Sequence, residues 1–185
     1  MPVEVRELEI AEVKVLNPKK FGDHRGFFSE VYSRKALADV GIDVELVQDN
    51  HSLSSKRGTV RGLHFQIPPL AQAKLVRVVR GAILDVAVDL RRNSASFGKH
   101  VCAVISEDDW NQIFVPVGFA HGFITITDET EVLYKVSNIY SPEHERGILW
   151  NDPKLGIDWL QRGASEISAR DLAWPALGDV AEHYF

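Results

Sequence analysis

Two stretches of the chain bring a histidine close behind glycine: Gly58-Thr59-Val60-Arg61-Gly62-Leu63-His64 and Pro116-Val117-Gly118-Phe119-Ala120-His121. A neutral imidazole is the side chain best suited to take a proton near pH 7. The first of these histidines lies in a window of unusual charge. From Asn50 to Leu84 there is no Asp or Glu, while Lys56, Arg57, Arg61, Lys74, Arg77 and Arg80 are all present, in a chain whose formal net charge is −5. Cations concentrated in this way suit a small anion such as a phosphate or diphosphate. The competing reading is a solvated strand face.

The elements that must carry these residues read as strands. Apolar residues recur at period two in Leu75 to Arg80 and in Ile83 to Leu90, with Gly81 between them, which predicts a hairpin. Further strands are expected at Val44 to Val47, Val101 to Ile105, Gln112 to Val115, Phe123 to Thr127 and Val132 to Val136, separated by Gly, Pro, Asn and Asp. Many short strands at this spacing indicate an all-β sandwich or barrel. Helical signal is sparse: Ser33 caps a short helix that Gly41 ends, and Ser168 opens a single turn through Leu172. Strict alternation would send Arg61 and His64 to opposite faces, so a shared pocket requires an irregularity, for which Gly62 is the natural place.

With 185 residues, 45% hydrophobic and 25% charged, the chain has the size of one globular domain spanning 1–185. Cys102 is the single cysteine and sits in an apolar run, which suits a buried structural thiol. The first ten residues lack the basic start and apolar stretch of a secretory signal. No run of about 18 apolar residues suggests a membrane span, so a cytoplasmic protein is expected. The net negative charge argues against general nucleic-acid binding.

The two histidine stretches together resemble the half-motifs of the cupin superfamily. A metal-binding cupin usually follows its first His with a second one two residues on and then a Glu; here that second position is Gln66, and no Glu occurs until Glu107. The usual first set of ligands for a transition metal is therefore incomplete, and no glycine-rich nucleotide fingerprint is present, so neither metal nor organic cofactor is expected. Within the superfamily, seven strings resemble the dTDP-4-dehydrorhamnose 3,5-epimerase family in its order, from about residue 10 to about residue 175. They are Asp23 to Glu30, Gln48 to Ser52, Arg61 to Gln66, Ala73 to Val76, Asp85 to Arg91, Gly118 to Phe123 and Trp150 to Pro153. The resemblance implies a cupin-type jelly-roll β-barrel with a few short helices.

The implied activity is inversion at C3 and C5 beside the ketone of a dTDP-4-keto-6-deoxy sugar. Such chemistry needs a base on one face, a group holding the enolate oxygen and an acid on the opposite face; His64, Lys74 and Tyr134 supply those three types. The resemblance assigns Asp171 as the partner of His64, sets Lys74 near the keto oxygen and makes Tyr134 the acid, with Tyr140 as a competitor at the same parity. It also implies Arg25, Glu30, Gln48, Asn50, Arg61, His121, Glu145 and Arg170 as contacts to the nucleotide-sugar. Phe27 and Phe28 offer an apolar face for a thymine, and family members resemble one another as homodimers, which the alternating Val3, Val5, Leu8 and Ile10 would suit as an exchanged strand. Two departures from the family are Arg170, where Lys is common, and Leu160 after Trp159, where Pro is usual. The alternatives are a single-centre epimerase, a metal-dependent cupin oxygenase and a non-catalytic sugar-binding cupin.

Overall fold

Apolar residues at period two, interrupted by turn formers, fold here into strands along most of the chain. The computed structural model describes residues 3–160, 164–180 and 185. In chain order the first strands are β1 (Val3–Glu7), β2 (Lys14–Pro18), β3 (Phe21–Asp23), β4 (Gly26–Phe28), β5 (Gln48–Ser54), β6 (Thr59–Gln66) and β7 (Lys74–Arg80). There follow β8 (Ala82–Asp89), β9 (His100–Ser106), β10 (Gln112–Val115), β11 (Phe119–Thr125), β12 (Thr130–Val136), β13 (Glu145–Gly147) and β14 (Glu166–Ile167). Two short helices, α1 (Arg34–Asp39) and α2 (Ala169–Leu172), are capped by the side chains of Ser33 and Ser168, as their sequences predict. Among the described residues no helix is long and apolar enough to cross a membrane.

One sheet has the order β1-β2-β10-β7-β12-β5, and the other has the order β13-β6-β11-β8-β9, with β14 parallel to β6 at its edge. All other pairings are antiparallel, giving the all-β jelly roll of the cupin type. The space between the sheets is packed by Val76, Val78, Ile83, Ala87, Ile113, Phe119, Phe123 and Val132. The outer face of each sheet is covered as well. Leu37 of α1 and Ile42 lie with Leu16, Leu75 and Phe114, while Trp150, Leu155 and Trp159 lie with Leu63, Phe65, Leu84 and Val86. Burying a side chain of this size contributes about 1.5–3 kcal/mol, so the three layers hold the strands that carry the polar site.

Three expectations need correction. The strands on either side of Gly81 do not form a hairpin, because β7 belongs to one sheet and β8 to the other. Gly81 turns the corner with φ of 82°, and a Cβ there would collide with the Thr127 hydroxyl. Alternation reports which faces are buried, and it is silent about the pairing partner. The second correction is at Val44 to Val47, which is irregular chain whose Val44 and Leu46 pack on the α1 cluster. The strand begins instead at Gln48, where polar Gln48, Asn50 and Ser52 face inward and so hide its period from a hydrophobic reading. The strand expected from Phe123 starts earlier, at Phe119.

Candidate active site

Between the two sheets the apolar core gives way to a cavity of about 620 Å³, within the usual range for small-molecule sites. The sheet holding β6 and β11 supplies Arg61, His64, His121 and Phe123 to it. Their shared orientation comes from a bulge. Arg61 pairs with Phe123 and His64 with His121, so three residue steps on β6 are matched by two on β11. The extra residue turns Arg61 to the face of His64. Gly62 sits there with φ of 130°, and a Cβ on it would lie 2.6 Å from the Gly122 Cα, which meets the requirement read from the sequence.

His64 Nε2 donates to Asp171 Oδ1 across 2.7 Å, leaving Nδ1 to the cavity. Asp171 is 3% exposed, and its Oδ2 accepts from the Gly62 N–H at 3.3 Å. Burial works against its ionisation, yet the hydrogen bonds from His64 and Gly62, with the Ser168 cap, hold its carboxyl below the ordinary range. The edge of Trp174 lies against the His64 ring at 6.3 Å between centroids, in space that the absent side chain of Gly147 leaves open. A carboxylate-bound imidazole of this kind is fixed in tautomer and favoured as the imidazolium once it takes a proton.

The facing sheet supplies Lys74 and Tyr134. On the β12–β7 ladder Val136 pairs with Lys74 and Tyr134 with Val76, which sets Lys74 and Tyr134 one step of two residues apart on the inner face. Lys74 Nζ donates to the His64 carbonyl at 3.4 Å. Removal from water lowers its pKa to about 8, against the pull of Asp85 and Glu145. Burial raises the Tyr134 phenol, with Arg61 opposing and Glu145 assisting. The cavity therefore has an imidazole–carboxylate pair on one wall and an ammonium and a phenol on the other.

The remaining residues form its mouth and floor. Arg61 is aimed by Ser54 Oγ at 3.1 Å and the Leu53 carbonyl at 2.9 Å. Gln48 and Asn50 are joined at 2.9 Å, and Glu145 Oε2 accepts from Arg170 at 2.7 Å and from the Tyr140 hydroxyl at 2.8 Å. His121 Nε2 donates to Asp85 Oδ2 at 2.8 Å. Thus His64, Lys74, Tyr134, Asp171, Gln48, Asn50, Arg61, His121, Glu145 and Arg170 come together around one space.

Arg25 and Glu30 do not join them in this chain. Arg25 lies on the β3–β4 hairpin with its side chain 78% exposed and paired to Asp23, and Glu30 follows that hairpin; neither lines the cavity. Phe27 and Phe28 of the same hairpin are also outside it, Phe27 resting edge-on against Trp110. The charged window divides likewise. Arg61 and Lys74 face the cavity, whereas Lys56 pairs with Glu166 and Arg77 lies over Trp110 on the outer side.

The sequence reading gives Asp85 no role and Gln66 only the place of an absent metal ligand, although a carboxylate at an inward position of an apolar strand signals a buried partner. Among the described residues no group of three or more His, Cys, Asp or Glu side chains is placed to hold a metal ion.

The chain is similar to several known proteins. The family model described as dTDP-4-dehydrorhamnose 3,5-epimerase matches residues 7–179. A protein of that name from Sinorhizobium fredii is 52% identical over 175 residues, covering 95% of this chain and 90% of its own. A crystal structure of the Bacillus anthracis enzyme with TDP and PPi bound is 46% identical, covers 94% of this chain and 99% of its own, and superposes with a TM-score of 0.90. The Legionella pneumophila epimerase in complex with dTDP-4-keto-L-rhamnose is 38% identical, with coverage of 96% and 94% and a TM-score of 0.91. The chain belongs to the dTDP-4-dehydrorhamnose 3,5-epimerase family.

Proposed function

We propose that this chain, as one cupin-type domain, converts dTDP-4-keto-6-deoxyglucose to dTDP-4-keto-rhamnose in dTDP-rhamnose biosynthesis, without metal or organic cofactor. The observation that carries the reading is the opposition of His64–Asp171 to Lys74 and Tyr134 across the cavity. His64 Nδ1 takes the proton from the carbon beside the ketone, and the electron pair moves onto the ketone oxygen. The Lys74 ammonium, itself removed from water, holds the enolate so formed, and a charge placed in such surroundings is worth more than in solvent. Tyr134 then gives its proton to the opposite face of the carbon, and solvent restores the proton to the phenol and removes it from the imidazole. Arg61 and Arg170 suit diphosphate oxygens.

The reading extends to a homodimer working in the cytoplasm. Its support is the exposed β3–β4 hairpin, with Phe27 at 55% and Phe28 at 65% exposure beside Arg25, an apolar arm that a second copy would cover. In that assembly Arg25 and Glu30 serve the neighbouring cavity. The test of the reaction is incubation with dTDP-4-keto-6-deoxyglucose in deuterated water, followed by proton NMR. Deuterium at C3 and C5 with both centres inverted is expected; deuterium at one centre makes the chain a single-centre epimerase, and deuterium at neither removes the epimerase reading.

A further inference from the structure

Gln66 stands where metal-binding cupins have a ligand, yet its amide is committed to backbone. Its Nε2 donates to the Leu70 carbonyl at 2.6 Å and the Ile139 carbonyl at 3.1 Å, and its Oε1 accepts from the Ser141 N–H at 2.8 Å. Two of these three bonds bracket Tyr140 from either side. Gln66 is 3% exposed, so its polar atoms must be matched internally, and losing any bond leaves a buried group unsatisfied.

The segment that the amide holds is tied at its ends as well, by the Asn138 amide to the Ala71 carbonyl and by Ser141 to His144. The segment from Asn138 to His144 contains neither strand nor helix, and Tyr140 is 49% exposed, so neither a ladder nor burial fixes it. Side chains fix it instead. The Tyr140 N–H donates to Gln48 Oε1 at 3.0 Å, and its hydroxyl donates to the Glu145 oxygen that also receives Arg170. Glu145 is the register partner of Gln66 on the β13–β6 ladder, so the strand that carries His64 carries this clamp two residues further on.

We infer that Gln66 is a positioning residue whose amide locks the Ile139–Ser141 segment, so that Tyr140 and the Glu145–Arg170 pair stand at the cavity mouth in the geometry that receives the nucleotide end of the substrate. The inference rests on the function proposed above. It separates two tasks on one strand: His64 acts on the reacting carbon, and Gln66 acts on binding through the rim.

Gln66→Leu deletes all three bonds, and Gln66→Glu keeps the acceptor for Ser141 while setting an oxygen against the two carbonyls. For each variant, dTDP affinity is measured by calorimetry, KM and kcat by turnover, and the Ser141 amide by hydrogen exchange. The expected result is a rise of tenfold or more in dTDP Kd and in KM, kcat within threefold of the parent, and faster exchange at Ser141. In a Tyr140→Ala background the same Gln66→Leu change adds less than twofold, because both act through one segment. A fall in kcat at unchanged KM, an unchanged Kd in a folded variant, or full additivity with Tyr140→Ala would overturn the inference. Failure of both variants to fold would overturn it as well, by making Gln66 a requirement of the fold. The calorimetry needs no turnover, so a parent that binds dTDP without epimerising anything sinks the proposed reaction and leaves the clamp standing.

Discussion

Asp171→Asn removes one charge and almost no volume, and the structure says which tautomer it forces. Asp171 Oδ2 accepts from the Gly62 N–H and Oδ1 from His64 Nε2. In the variant the amide oxygen must face Gly62, since two N–H groups cannot share that contact. The new NH2 then donates to His64 Nε2, and the imidazole carries its proton on Nδ1, towards the cavity. A base with its cavity-facing nitrogen already protonated cannot abstract a proton. Loss of the charge-assisted bond alone is worth about 1.5–3 kcal/mol, roughly 10- to 150-fold in rate; the serine-protease precedent for a wrong-tautomer triad is about 10⁴. The expected kcat is therefore lower by roughly 10²–10⁴, with KM within threefold, because Asp171 is buried behind the imidazole. Steady-state turnover followed by NMR, with dTDP calorimetry as the control, measures both. A kcat within threefold of the parent would refute the role given to this pair.

Lys74→Met should abolish turnover while stabilising the fold. Its pKa in the fold is about 8 against an ordinary 10.5, so the folded state bears the cost of the buried ammonium at all pH below about 8 and is relieved of it as pH rises towards 10.5. Relief in the variant is about 3 kcal/mol at pH 7, read by urea unfolding, and the parent's kcat/KM should fall above pH 8 as the ammonium is lost. Gly62→Ala puts a Cβ within 2.6 Å of Gly122 at a φ of 130°; it should cost about 2–4 kcal/mol of stability and lower turnover by misaligning Arg61 and His64, as thermal unfolding and assay will show. Prolonged EDTA treatment should leave turnover unchanged, and a stoichiometric metal whose removal abolishes epimerisation would contradict the cofactor-free mechanism.

Much of the fold was legible because strands buried on both faces, such as β8, leave nearly continuous apolar runs, and because Ser33 and Gly41 mark their helix by local chemistry alone. The strand lining the cavity was not, since β5 turns Gln48, Asn50 and Ser52 inward and thereby loses its hydrophobic signature. Pairing was illegible too: Gly81 reads as a hairpin turn, and only the assembled sheets reveal it as a corner. For the site, residue types and the family resemblance named ten side chains that the structure gathers around one cavity. The demand for an irregularity at Gly62 followed from parity and was met by the bulge. Arg25 and Glu30 stand on or beside a hairpin outside the cavity of their own chain, and residue order cannot say whether a hairpin folds back or projects. Gln66 was read only for the metal ligand it replaces, since bonds to three backbone groups far apart in sequence have no linear signature.

The central claim, that base and acid act from opposite walls, is tested most directly by the deuterium fate of substrate with Tyr134→Phe. His64 can still form the enolate and Lys74 can still hold it, so the account predicts substrate that gains deuterium at C5 with retained configuration. The yield of C5-inverted product should fall by roughly 10²–10⁴, the usual contribution of a general acid. Inversion at C5 at the parent rate would contradict it, and would transfer the acid's role to Tyr140 or to water.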